Sequence, residues 1–309
     1  MKDNAKSAGF NSSQIVTGWK DIYKIMAIII DGKKVSQDVR NEIREKVLLL
    51  KEERGVVPGL AVILVGEDPA SKIYVRRKEE ACGEVGFLSR EYRLPAETDE
   101  QQLLHIIDEL NHDDVIHGIL VQLPLPKQIN SETIIEAIDP QKDVDGFHPY
   151  NMGHLFTGNP FHNSCTPSGI LELLDRYGVE IKGKETVIVG RSNIVGKPLS
   201  MMLLARHATV TICHTRTKNL SEVTKRAEIL IAAAGSPEMI KGDMVREGAV
   251  VIDVGINRLD SGKLVGDVAF SEVSEKTSYI TPVPGGVGPM TIAMLLMNTL
   301  NAAYRFNRS

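Results

Sequence analysis

Thr186-Val187-Ile188-Val189-Gly190-Arg191-Ser192-Asn193-Ile194-Val195-Gly196 starts as a short apolar run, turns at a glycine and continues into a helical pattern. A run that is apolar on both faces suits a strand covered on both sides of a parallel sheet. The glycine that follows lets the chain turn sharply, and the next helix aims its free N–H groups back at that turn. This is how a doubly wound α/β unit begins, and such a turn suits a pyrophosphate. The loop departs from G-x-G-x-x-G, because Ser192 stands at the middle glycine and Gly196 lies one residue late. Further apolar runs at 209–212, 229–233 and 250–254, separated by helical patterns, complete a small doubly wound sheet.

Upstream, Val35, Val39, Ile43, Val47 and Leu50 form a helical stripe that Gly55 can end in a left-handed cap. Residues 60–66 read as a buried strand. A helix follows, starting at Asp68-Pro69 or at Ser71 and closing at Gly86. Leu103, Leu104, Ile107 and Leu110 make a second stripe after Asp99, and 118–123 is another buried strand. The order strand, helix, strand, helix predicts a second α/β layer with a mostly parallel sheet. The proline-bearing stretch 139–149 marks a junction between two domains. The expected division is 26–149 plus 287–309 as one domain and 150–286 as a Rossmann-like dinucleotide-binding domain. The last helix, from Met290 to about Arg305, should return to the first domain. Residues 1–25 show no sustained period and read as an N-terminal extension, disordered and outside the fold, with Met26 as a candidate start.

At 309 residues the chain exceeds one ordinary core, so two domains are expected on length alone. A formal net charge of -4, without a basic run or aromatic ladder, argues against nucleic-acid binding. No apolar run reaches membrane-spanning length and no secretory leader is legible, which points to the cytoplasm. Three well-separated cysteines, Cys82, Cys165 and Cys213, argue against both a disulfide framework and a cysteine metal cluster. The eight histidines show no ligand spacing, so no metal is expected.

Four further stretches carry chemistry. Tyr74 and Lys78 stand at i and i+4 on one helical face, so a phenol ring and an amine can serve one ligand. On a helix, the ordinary alternatives are a packed aromatic and a solvated lysine. In Val121-Gln122-Leu123-Pro124-Leu125-Pro126, the glutamine sits at the carboxyl end of a strand, where open α/β sheets bind ligands. It can equally be a buried amide satisfied by backbone. Asp143 and Asp145 lie in the junction, where a carboxylate can grip an amino-pyrimidinone edge or simply shape a turn beside Gly146. Thr281-Pro282-Val283-Pro284-Gly285-Gly286-Val287-Gly288-Pro289-Met290-Thr291 packs three glycines and three prolines into a rigid loop before the last helix. No acidic residue ends the run at 209–212. Cys213, His214, Thr215 and Arg216 follow it, and together with Arg191 they favour a 2′-phosphate, hence NADP over NAD.

Taken in order, the Tyr74–Lys78 motif, residues 121–126, Lys142-Asp143-Val144-Asp145-Gly146-Phe147 and residues 282–291 resemble the bifunctional methylenetetrahydrofolate dehydrogenase/cyclohydrolase family. The match runs from about Met26 to the C-terminus. The resemblance implies oxidation of 5,10-methylenetetrahydrofolate with NADP and hydrolysis of the methenyl product to 10-formyltetrahydrofolate, within one-carbon metabolism and purine biosynthesis. It implies that Lys78 is the principal catalytic residue, that Tyr74 stacks on the folate, that Gln122 orients and tunes Lys78, and that Asp145 holds the pterin. Val121, Leu123, Pro284, Gly285, Gly286 and Val287 would line the folate site. Gly190, Arg191, Ser192, Cys213 and Ile256 would contact the dinucleotide, with Cys213 standing where some members carry a serine near the 2′-phosphate. The family also implies homodimers.

Three other readings predict different residues. A hydroxy-acid or amino-acid dehydrogenase needs a charged clamp for a substrate carboxylate, which Tyr74, Gln122 and Asp145 do not offer. A catalytically silent nucleotide-binding protein would lack Lys78 or the glycine loop. A metal hydrolase needs paired ligands that the sequence does not supply.

Overall fold

The computed structural model of the protein describes residues 27–306, so the expected extension at 1–25 lies outside the described residues. Strand β1 (Ile28–Ile29) leads to Asp31, whose Oδ1 accepts the Lys34 N–H at 3.0 Å and starts helix α1 (Gly32–Arg54). All five residues of its apolar stripe are buried, and Gly55 ends it at φ 68°. Strand β2 (Gly59–Val65) follows. Asp68 accepts the Ser71 N–H at 2.7 Å and caps α2 (Pro69–Val85), so this helix begins at the proline and not at Ser71. Next come β3 (Leu88–Leu94), α3 (Glu100–Asn111), capped reciprocally by Asp99 and Gln102, β4 (Gly118–Val121), α4 (Ser131–Ala137) and α5 (Pro149–Phe156).

The second half holds α6 (Cys165–Arg176), β5 (Glu185–Val189), α7 (Gly196–Ala205), β6 (Thr209–Cys213), α8 (Leu220–Thr224), β7 (Ile229–Ala232) and β8 (Val250–Asp253). A short hairpin of β9 (Asn257–Arg258) and β10 (Leu264–Val265) precedes α9 (Phe270–Val273), β11 (Tyr279–Ile280) and α10 (Val287–Phe306).

Two parallel sheets result, one of three strands in the order β3-β2-β4 and one of six in the order β1-β11-β8-β7-β5-β6. Alternation along the buried strands explains their continuous apolar runs. Leu60, Val62 and Leu64 of β2 point into one core, and Ala61, Ile63 and Val65 into another. In the same way Ile229 and Ile231 of β7 face the shared core while Leu230 and Ala232 face the far side. The shared core, which includes α1, α6 and α10, joins the two sheets.

Three features differ from the sequence expectation. Residues 28–29, expected in the first domain, add the edge strand of the larger sheet by pairing with β11. The strand β3, which the alternation left out, has charged side chains and only partial burial, because it is an edge strand. Helix α10 begins at Val287, three residues before the expected Met290, inside the glycine-proline loop.

Candidate active site

Parallel strands send their carboxyl ends to one edge of each sheet, where Gln122 stands in the smaller sheet and Gly190 in the larger. Gln122 follows the last residue of β4, with its N–H donating to the Ile63 carbonyl at 2.8 Å. Its side-chain Nε2 donates to the Leu123 carbonyl at 2.7 Å, which fixes the amide so that Oε1 accepts from Lys78 Nζ at 3.0 Å. Lys78 is buried on α2. Burial pulls its pKa below the ordinary lysine value, and the nearby Asp145 charge opposes that pull. Burial likewise pushes the Asp145 carboxyl up, opposed by Lys78 and aided by Asp143. Cys165 lies beside the same pair. Burial raises its thiol well above the usual range, and its Sγ donates to the Val144 carbonyl at 3.2 Å.

The structure therefore brings Lys78, Gln122 and Asp145 together, and it separates Asp143 from them in role. Asp143 accepts N–H groups from Phe147 and His148 at 3.2 and 2.8 Å and the Asn151 amide at 2.8 Å, which is turn-shaping work.

A cavity of about 480 Å³ lies between α1 and α2 on one side and the ends of β8 and β11 on the other. Tyr74, Ile256, Pro284, Gly285, Gly286 and Val287 line it, so residues placed in both halves by the sequence reading meet here. Lys33, Arg40 and Arg77 also line it, and the sequence reading missed them because solvated helix cations are common. The glycine loop is held tightly. The Lys33 N–H donates to the Gly285 carbonyl at 3.0 Å, and a Cβ at Gly32 would stand 1.8 Å from the Gly286 oxygen. Val121 is buried in β4, with Leu123 partly exposed just beyond Gln122.

The dinucleotide loop stands at the switch point of the larger sheet, where the chain runs from β5 to β6 on one side and β7 lies on the other. Gly190 adopts φ 136°, its N–H donates to the Cys213 carbonyl at 2.9 Å, and a Cβ there would meet the Ala233 oxygen at 2.0 Å. Ser192 Oγ accepts the Val195 N–H at 3.2 Å and so orders the approach to α7. Arg191, Thr215 and Arg216 are exposed. Cys213 is corrected as a cofactor-binding side chain: it is fully buried among Val187, Val189 and Leu230, because the alternation of β6 turns it inward. Its backbone carbonyl, which anchors Gly190, is the part that reaches the site. The donor set fits a 2′-phosphorylated dinucleotide, with two exposed guanidinium groups and no carboxylate at the end of β6.

Among the described residues, no group of three or more His, Cys, Asp or Glu could hold a metal ion. The three cysteines are free and buried.

The catalytic-domain profile described as "Tetrahydrofolate dehydrogenase/cyclohydrolase" matches residues 30–145, and the NAD(P)-binding-domain profile of the same description matches 164–307. The chain belongs to the tetrahydrofolate dehydrogenase/cyclohydrolase family. It is 60% identical over 280 residues to the bifunctional protein FolD of Pelobacter propionicus, spanning 91% of this chain and 99% of that one. It is 61% identical over 279 residues to the FolD of Moorella thermoacetica, spanning 90% and 99%. Among solved structures, the bifunctional FolD of Campylobacter jejuni superposes with a TM-score of 0.88 at 52% identity, covering 90% of this chain and 99% of that one. The Trypanosoma brucei enzyme, solved with NADP and an inhibitor, also gives 0.88, at 39% identity and 92% and 99% coverage.

Proposed function

We propose that this chain oxidises 5,10-methylenetetrahydrofolate to 5,10-methenyltetrahydrofolate with NADP and hydrolyses the methenyl form to 10-formyltetrahydrofolate. The observation that carries the reading is the buried Lys78 amine held at 3.0 Å by Gln122, beside Asp145 and one helical turn from the cavity-lining Tyr74. In this reading residues 26–149 with 287–309 form the folate half and 150–286 the dinucleotide half, except that Ile28–Ile29 belongs to the larger sheet.

Tyr74 stacks on the folate and Asp145 holds the pterin edge, which fixes the one-carbon bridge in place. Val121, Leu123 and Pro284 to Val287 complete the folate walls. Gly190, Arg191, Ser192 and Ile256 seat the dinucleotide, with Arg191 and Arg216 meeting its 2′-phosphate. When bound, NADP accepts a hydride from the one-carbon bridge at nicotinamide C4.

Hydrolysis then belongs to Lys78. Water adds to the methenyl carbon and gives a proton to the Lys78 amine, which its lowered pKa makes available in neutral form. As the bond from that carbon to N5 breaks, the protonated Lys78 returns that proton to N5. The second water proton leaves as the C=O bond forms, and the formyl group stays on N10. Gln122 keeps the Lys78 amine aimed throughout.

The test follows absorbance of reduced nicotinamide and of the methenyl intermediate with NADP and, separately, NAD. NADP reduction with little lasting methenyl signal supports both activities. Methenyl accumulation would leave only the dehydrogenase, and no reduction with either dinucleotide would overturn the reading.

The same reading makes the protein a homodimer in the cytoplasm, supplying one-carbon units for purine biosynthesis. No helix among the described residues is long and apolar enough to cross a membrane. Light scattering coupled to size exclusion checks the dimer, and a monomeric mass at micromolar concentration would refute it.

A further inference from the structure

Beside the dinucleotide edge lie two buried carboxylates that the mechanism above does not use. Asp267 is fully buried, just after the β9–β10 hairpin. Its Oδ2 accepts the N–H groups of Ala234 and Gly235 at 2.6 and 2.9 Å. Its Oδ1 accepts the Ser236 N–H and the Asn257 side-chain amide, both at 2.9 Å. Four donors on one carboxylate compensate its lost hydration. Asp253, at the end of β8, repeats the arrangement by accepting N–H groups from Gly255, Asp267 and Val268 at 3.0, 2.9 and 3.0 Å.

The loops so gripped are those that follow β7 and β8, adjacent strands of the larger sheet. Both open on the edge where Gly190 stands against the Ala233 carbonyl. Between the gripped Gly255 and Asn257 sits Ile256, half-exposed and lining the cavity. The fit leaves no slack. A Cβ at position 255 would stand 2.3 Å from Asp267 Oδ1, and one at 266 would stand 1.8 Å from Asp253 Oδ2.

A carboxylate needed only to shape its own turn would bond its own neighbours. Asp267 instead reaches 31 to 33 residues back for three backbone donors, and so ties two loops that the sequence leaves independent. We infer that Asp267, backed by Asp253, is a positioning residue for the dinucleotide: it locks residues 234–236 to residues 255–257 and thereby sets Ile256 against the cofactor. The inference rests on the NADP reading above.

The test measures NADP affinity by isothermal titration, alongside melting temperature and the KM for methenyltetrahydrofolate in hydrolysis without dinucleotide. Asn257→Ala removes one bond to the charged acceptor and should raise the NADP Kd about tenfold, with the folate KM unchanged. Asn257→Asp keeps the size but faces Asp267 with a like charge, so it should weaken NADP further than Ala does. Asp267→Asn should lose more than Asn257→Ala, and where it does not fold the two Asn257 variants decide alone. Wild-type NADP affinity in both Asn257 variants would overturn the inference, as would equal losses on the folate and dinucleotide sides. A wild-type chain that binds no NADP would overturn the cofactor reading with it, and is distinguishable because the variants are then not needed.

Discussion

At the scale of single residues, the chemistry depends on how burial moves charge. Lys78 titrates below an ordinary lysine because it is desolvated, so its neutral, proton-accepting form should accumulate as pH rises through that lowered value. Cyclohydrolase turnover should therefore climb to a plateau with an inflection below the free-lysine value of about 10.4. A pH-rate profile with no inflection there would count against Lys78 as the proton acceptor. Replacing Lys78 with Ala should abolish hydrolysis while leaving NADP affinity near wild type, measured by titration, and parallel loss of both would mean misfolding. Asp253 shows the opposite case. Burial pushes its carboxyl up to about 6, against three backbone N–H donors that pull it down. A raised acid pKa stabilises the fold below the unfolded value and loses that contribution as pH rises through 6. Relative to Asp253→Asn, the wild type should thus gain stability on going from pH 7 to pH 4, by at most about 3 kcal/mol. Urea titrations at both pH values check the sign.

At the scale of elements, caps and close approaches matter most. The Asp68 carboxylate starts α2, the helix that carries both Tyr74 and Lys78. Asp68→Ala should cost about 1 kcal/mol in chemical denaturation. Tyr74 stands in the second turn after this cap, so the KM for the folate should rise more than kcat falls. Gly190→Ala is expected to be worse, since the new Cβ would fall within 2.0 Å of the Ala233 oxygen at a φ that favours glycine. NADP affinity should be lost with hydrolysis largely retained, and unchanged affinity would show that the loop can shift. Among the elements, α1, α3 and the strands β2, β4, β5, β7 and β8 were legible because their stripes or apolar runs report burial directly, and α2 because Asp68-Pro69 and Gly86 mark its start and stop. The strand β3 was not, because an edge strand keeps charged residues such as Arg90 and Glu91. Nor was β1, since two residues have no period.

On the scale of the whole molecule, the cavity exists only because α1 and α2 of the first half face the ends of β8 and β11 of the second. Local order alone decided much. The glycine loop after β5, the lysine one turn beyond Tyr74 and the glutamine at the end of β4 are contiguous signals, set by periodicity and by what glycine and proline permit. What only the tertiary structure decided are the long-range facts. Cys213 turned inward and left its carbonyl to hold Gly190, Ile28 and Ile29 crossed to the far sheet, and Asp267 reached back to residues 234–236. The physical reason is common to all three. Periodicity encodes which face of an element is buried, whereas the partner of a buried polar group is fixed only when distant strands are brought to one edge.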